Sequence, residues 1–361
     1  MFEDGKPIRV GLIGYGYAGK TFHAPLVRSV TGLELIVIGS SRRDAVLADL
    51  PDVAVCSKMD EVATHPDVDL LVIASPNESH YPLAAAALHA EKHVIVDKPF
   101  TVKLADARSL VQLAEERGQL LSVFHNRRWD SEVLATKAVV ESGLLGEISH
   151  FETHIDRFRP EVRRRWREQA GPGAGLWFDL GPHLIDQAVQ LFGLPETMHA
   201  NFAVLRKGGQ TDDWAHVQLN YRSLRVILHV SLLVSGGVPR SVLHGTLGSW
   251  AKFGADVQEK QLVAGVLPDA PGFGHDPDPG IFYEGATGKQ TTIPAPAANQ
   301  ADYYLGIRDA LWGRHPNPVP PEQASAVMAI LDTSFQSGAT GRVLPLQLTS
   351  KERAAFPASL N

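Results

Sequence analysis

Residues 8–27 read IRVGLIGYGYAGKTFHAPLV. The apolar run from Ile8 to Ile13 has the length and composition of a buried strand. Gly14, Gly16 and Gly19 follow in G-x-G-x-x-G spacing, and a helical pattern follows them. Gly14 would permit a tight turn, Gly16 would let the backbone approach a pyrophosphate, and Gly19 would allow close helix–strand packing. The free amide hydrogens at the helix start then suit a phosphate. Tyr17, inside the turn, is a further cofactor-contact candidate. The spacing alone also fits a glycine turn in some other α/β unit. Its strand–turn–helix context favours dinucleotide binding.

The alternation continues outward from this stretch. LELIVIGSS (33–41), VDLLVIAS (68–75), HVIVDKPF (93–100) and LLSVFH (120–125) read as short parallel strands, with helical segments near 81–91 and 103–117. The expected first domain is therefore a doubly wound α/β (Rossmann) domain over residues 1–125. A cofactor with a free ribose 2′-hydroxyl usually meets an acid at the end of the second strand. Here that strand ends in Gly39-Ser40-Ser41-Arg42-Arg43. Two hydroxyls and a guanidinium suit a 2′-phosphate. Ser40, Ser41 and Arg42 thus predict NADP, with NAD as the alternative. The competing interpretation is an ordinary solvated loop.

Composition narrows the class. A chain of 361 residues is long for one core and suggests two domains. A net charge of -6 argues against a general polyanion-binding surface. No apolar run approaches the ~18 residues of a membrane span. The N-terminus lacks the basic start and small-residue cleavage site of a signal peptide. Cys56, the single cysteine, excludes an intrachain disulfide and a cysteine-rich metal site. These features predict a cytoplasmic protein that engages neither nucleic acid nor membrane.

Two further stretches carry chemistry. Lys98 stands directly beyond an apolar strand, where open α/β sheets bind ligands, and Pro99 restricts it. It could polarise a substrate oxygen or simply pair with Asp97. GPGAGLWFDLGPHLIDQ (171–187) places Asp179, His183 and Asp186 in an otherwise apolar segment. The pattern predicts a helix beginning near Asp179, with Asp179 as its cap. Asp179 and His183, four apart, would then share a face. His183 could accept a hydroxyl proton while Asp179 orients it. A local hydrogen-bond network is the competing interpretation. No metal site is expected here, nor in GFGHDPDPG (272–280), which lacks the order of a calcium loop.

Taken together, the glycine turn, PNESHYPLAAAALHAEKHVIVDKPFTV (76–102), FHNRRWDSEVLATKAVVESGLLGEI (124–148) and residues 171–187 resemble the glucose–fructose oxidoreductase/inositol dehydrogenase (Gfo/Idh/MocA) family. The likeness spans essentially the whole chain, although Asp97-Lys98-Pro99 replaces the Glu-Lys-Pro of many members. It implies a second, α+β domain over 126–347 with a large, mostly antiparallel sheet. The last helix is a candidate to pack back between the domains. The strand patterns agree: ISHFETHIDRF, MHANFAVLR, DWAHVQLNY, RVILHVSLLV, RSVLHGTLGSWAKF and TTIPAP. The resemblance further implies that Lys98, Asp179 and His183 are catalytic. Pro76, Asn77, His80 and Arg127 (or its neighbours Arg128 and Trp129) become cofactor-edge candidates. Six arginines lie between Arg157 and Arg167, and Asp156, Arg157 and Arg163 become secondary substrate candidates. The expected activity is hydride transfer, NADP preferred, to or from a secondary alcohol or carbonyl of a sugar or cyclitol such as an inositol. The alternatives are another diol or carbonyl substrate, or a nucleotide-responsive regulator without catalysis. A small polyhydroxylated partner and a homodimer or homotetramer are expected.

Overall fold

A computed structural model describes residues 3–356. The chain forms two units. The first runs to Trp129 and also takes in 258–274 and 299–325; the second comprises 130–257, 275–298 and 326 onward. The first unit therefore ends four residues later than the pattern suggests, and it recovers two distant segments.

In the first unit, β1 (Ile8–Ile13), β2 (Leu33–Gly39), β3 (Ala54–Cys56), β4 (Leu70–Ile73), β5 (His93–Val96) and β6 (Leu121–Val123) form one parallel sheet. Its order is β3-β2-β1-β4-β5-β6, so the winding reverses between β1 and β4. Ligands of such sheets bind beyond the carboxyl ends of the strands at that reversal. Apolar residues face helices on both sides: Val10, Leu70, Leu71, Val72 and Ile95 are fully buried. β3, three residues long and exposed at its start, is too short to register as a periodic pattern. The same core includes Leu262, Phe273, Tyr303, Tyr304, Ile307, Leu311 and Val319 from the recovered segments.

The second unit is built on a nine-stranded sheet. Its strands are β7 (Ile148–Asp156), β8 (Thr197–Ala203), β9 (Trp214–Asn220), β10 (Arg225–Ser231), β11 (Ser241–Gly245), β12 (Gly248–Lys252), β13 (Gly280–Glu284), β14 (Gln290–Ile293) and β15 (Leu344–Pro345). The order is β14-β13-β12-β11-β7-β10-β9-β8-β15. All neighbours are antiparallel except β7 and β10, which run parallel. Alternation sorts the two faces. Phe151, Thr153, Val217, Leu228 and Val230 are buried on one face. That face meets the Leu176–Phe192 helix, as the Phe151–Phe192 ring contact at 5.4 Å and the Thr153 hydroxyl on Gln187 Oε1 at 3.3 Å demonstrate. Glu152, His154, Asp156, His216 and His229 occupy the other face. Among the described residues, no helix is long and apolar enough to cross a membrane.

Candidate active-site residues

In the first unit the three glycines have separate reasons. Gly14 has φ +96°, and a Cβ there would come within 2.4 Å of the Ala74 carbonyl oxygen beyond β4. At Gly19 a Cβ would meet the Gly14 carbonyl oxygen at 1.9 Å. A Cβ on Gly16 meets nothing within 4 Å. Two glycines are thus compelled by the protein's own backbone, while the middle one faces open space. That is the arrangement a pyrophosphate needs for close approach, so the turn fits a dinucleotide.

The end of β2 separates the two arginines. Ser40 is buried and its hydroxyl accepts from the Arg42 amide at 3.1 Å. The Arg42 guanidinium donates to the Tyr15 carbonyl in the glycine turn. Arg43 instead reaches the Val55 carbonyl of β3 at 3.0 Å. Ser41 is exposed. Arg42 is therefore the cation held at the turn. The Tyr17 hydroxyl donates to Glu259 Oε1 at 2.7 Å, and the other oxygen of Glu259 lies 3.5 Å from Arg127 Nη2. Glu259 comes from a recovered segment, and no local motif announces it. Arg128 turns to the Pro318 carbonyl and to Gln323 Oε1, at 3.2 and 2.9 Å.

Lys98 follows β5, and its bond to Pro99 is cis. Its amide donates to Asp97 Oδ1 at 2.7 Å. Burial pushes the Asp97 carboxyl up, but His23, Lys98 and His80 outweigh it and hold the group below the usual carboxylate range. Behind Asp97, His23 Nε2 lies 3.8 Å from Oδ2 and His23 Nδ1 lies 2.6 Å from the Tyr304 hydroxyl. A buried line of polar groups thus runs from Tyr304 to the backbone of the candidate lysine. His80 is also buried, with Nδ1 at 2.9 Å from the Pro99 carbonyl and Nε2 at 3.0 Å from the Ser75 carbonyl. It ties the loop after β4 to the Lys-Pro tip, and burial pushes its pKa down. Asn77 is buried at the start of a short 3₁₀ turn, directly after Pro76.

In the second unit the Leu176–Phe192 helix starts three residues earlier than the pattern suggests. Asp179 is in its first turn rather than at the cap, and Pro182 is inside the helix. The cap comes from Asp212, whose Oδ2 accepts from the Trp177 amide at 2.6 Å. Gly175, at φ +103°, makes room for it: a Cβ there would meet Asp212 Oδ1 at 2.1 Å. Burial, above all, pushes the Asp212 carboxyl up to about 6. His183 and Asp186 are both buried, and Asp179 is partly exposed, 3.4 Å from Arg167 Nε.

Asp179 lines an open concavity with Arg157, Arg159, Arg165, Arg167 and Arg206. Arg206 pairs with Asp213 at 2.9 Å and with Glu168 at 3.1 Å. Glu168 Oε1 also accepts from Arg165 at 2.9 Å, and its Oε2 from the Arg163 amide at 2.9 Å. Burial and then the guanidiniums of Arg157, Arg163 and Arg165 push Arg159 below the usual arginine range. Asp156 does not join this group. It shares the sheet face of His154, turned away from the helix that carries Asp179 and His183.

Family models match both parts of the chain: an oxidoreductase family, NAD-binding Rossmann fold, over residues 8–125, and the C-terminal α/β domain of that family over 137–348. The oxidoreductase YdgJ of Escherichia coli K12, its activity uncharacterized, is 50% identical over 332 residues, covering 91% of this chain and 96% of its own. The scyllo-inositol 2-dehydrogenase (NADP(+)) IolW of Bacillus subtilis 168 is 35% identical, covering 94% and 96%. A solved structure from Klebsiella pneumoniae, itself only provisionally classed as an oxidoreductase, superposes with a TM-score of 0.92. It is 52% identical and covers 97% of this chain and 98% of its own.

Proposed function

Because this chain belongs to the Gfo/Idh/MocA oxidoreductase family, we propose that it is an NADP-preferring dehydrogenase. In this reading it interconverts a secondary alcohol and a carbonyl on a sugar or cyclitol. The observation that carries the proposal is the glycine turn, in which Gly14 and Gly19 are compelled by backbone contact while Gly16 is left open. Gly14, Gly16, Tyr17, Gly19, Ser40, Ser41, Arg42, Pro76, Asn77 and Arg127 would hold the dinucleotide, with His80 fixing the loop. When bound, its nicotinamide supplies the acceptor or donor of hydride. Lys98 polarises the reacting oxygen, His183 takes or returns its proton, and Asp179 positions that exchange. The preference for NADP rests on Arg42 at the turn, and the name of the similar IolW supports both NADP and a cyclitol. The enzyme acts in the cytoplasm as a homodimer or homotetramer, without nucleic acid or membrane.

One observation favours a narrower substrate. The arginine-lined concavity beside Asp179 suits a carboxylate, so a sugar acid competes with a neutral inositol. Purified protein offered inositols, aldoses and aldonates or uronates with each cofactor tests both readings. Reduction of NADP by any of these polyols supports the dehydrogenase, and faster turnover of acids than of neutral polyols supports the narrower form. Tight NADP binding without turnover across the panel would favour a nucleotide-responsive regulator.

A further inference from the structure

The outer face of the nine-stranded sheet carries histidines that the dehydrogenase reaction does not use. His154 and His229 face each other across the parallel pair β7/β10, with Asp156 two residues beyond His154 on the same face. Their side chains are only 11–13% exposed. One ligating atom from each of the three lies within 4.8 Å of the others.

Three details distinguish this group from an ordinary ion pair. His154 Nδ1 lies 3.0 Å from Asp156 Oδ2. The other carboxylate oxygen, Oδ1, is buried and accepts no hydrogen bond. His229 Nε2 stands 3.8 Å from that oxygen, too far for a hydrogen bond. Ligands of one tetrahedral ion at 2.0–2.1 Å are about 3.3 Å apart, and the two histidine nitrogens stand 3.0 and 3.8 Å from opposite oxygens of the one Asp156 carboxylate, close to that spacing. His154 Nε2 meanwhile lies 2.9 Å from Glu152 Oε1. A carboxylate on the far nitrogen fixes the ring and its tautomer, as around metal-bound histidines generally. The His216 and Trp214 rings wall the group, 5.7 and 5.4 Å from His229.

We propose that His154 Nδ1, His229 Nε2 and the Asp156 carboxylate form a site for a divalent transition-metal ion of the zinc type, oriented by Glu152. Two imidazoles and one carboxylate suit such an ion better than calcium or magnesium, which prefer all-oxygen shells. Binding displaces the Nδ1 proton to solvent and leaves a fourth position for water or a further ligand. The inference stands on the sheet alone and does not depend on the substrate or cofactor reading.

The test is calorimetric titration of the chelator-stripped full-length protein with Zn²⁺. One ion per chain with micromolar or tighter affinity is expected. His229→Ala and Asp156→Asn should each weaken binding at least tenfold, while His244→Ala, elsewhere on the same face, should not. Loading the unaltered protein with Co²⁺ gives a readout that no variant can confound, since this site predicts the intense visible bands of a four-coordinate ion. The proposal is overturned by the absence of saturable 1:1 binding, by Co²⁺ spectra of a six-coordinate ion, or by binding that survives both substitutions. Binding lost in His183→Ala but kept in His229→Ala also overturns it.

Discussion

Two glycine-led turns open helices in this molecule, and they treat an anion in opposite ways. At residues 171–175 the turn closes on an internal one: Gly175 admits the Asp212 carboxylate, which caps the helix bearing Asp179 and His183. Residues 14–19 themselves contain no acid. The helix begins at Tyr17, directly after Gly16, which has no side chain to accept from an amide and faces open space. A helix start satisfied from within becomes a fixed platform for side chains. One left open receives its negative charge from a ligand. The difference fits the proposed division, with chemistry at the second turn and cofactor binding at the first.

The strongest challenge to that division is a pair of substitutions. His183→Ala should lower turnover roughly 10²–10⁴-fold, the loss expected for a positioned acid–base group, with NADP affinity nearly unchanged. Gly16→Ala should do the reverse, weakening NADP with little change in thermal stability. Single-turnover hydride transfer and equilibrium cofactor binding separate the two, and parallel losses in both variants would erase the distinction.

Within the first turn, Gly19→Ala should destabilise the fold where Gly16→Ala does not. Its Cβ would collide with the Gly14 carbonyl, a strain of about 1–3 kcal/mol readable as a lower urea midpoint. Equal midpoints for the two variants would mean that the glycines share one role.

The second turn can be sharpened through its cap. The folded pKa of Asp212, about 6, exceeds its ordinary 3.8. The native state then holds more protons between those values, so stability falls as pH rises from about 4 to 6. Asp212→Asn keeps an acceptor for the Trp177 amide and should remove about 2 kcal/mol of that decline. Urea unfolding at pH 4 and pH 7 measures it, and an unchanged slope would show that this carboxylate is not responsible.

The smallest expected effect concerns Arg42. Arg42→Ala should cost NADP about tenfold in affinity, or ~1.4 kcal/mol, and leave NAD untouched. Arg43→Ala should change less, because that guanidinium is held on the Val55 carbonyl of β3 and not at the glycine turn. Equal losses for both cofactors would remove Arg42 from the 2′-phosphate.

What could be read from the chain beforehand was local. The glycine spacing, the Lys98-Pro99 tip and the four-residue interval between Asp179 and His183 are each written within one turn or strand end, where periodicity carries the signal. The helix start at Leu176 was not legible, because its cap is Asp212, far along the chain. Glu259 reaches Tyr17 and Arg127 from a segment that the pattern assigns to the other domain. β3 is only three residues long, and β13 sets Ile281, Phe282 and Tyr283 in succession, so alternation does not reveal them. The His154–Asp156–His229 group depends on the β7/β10 register, which neither strand encodes alone.

The return of residues 258–274 and 299–325 to the first unit has a consequence for biosynthesis. The nucleotide-binding half is not a module that finishes first. Tyr303, Tyr304, Ile307 and Val319 are part of its core and are fully buried, so that core stays incomplete while the second unit is being translated. At 5–20 residues per second the wait lasts on the order of tens of seconds. During it, the nascent sheet exposes the apolar surface those residues will later cover. A polypeptide cut near residue 125 would keep every glycine of the motif and lack Tyr303 and Tyr304, whose rings pack on Phe124 and, for Tyr304, on His23.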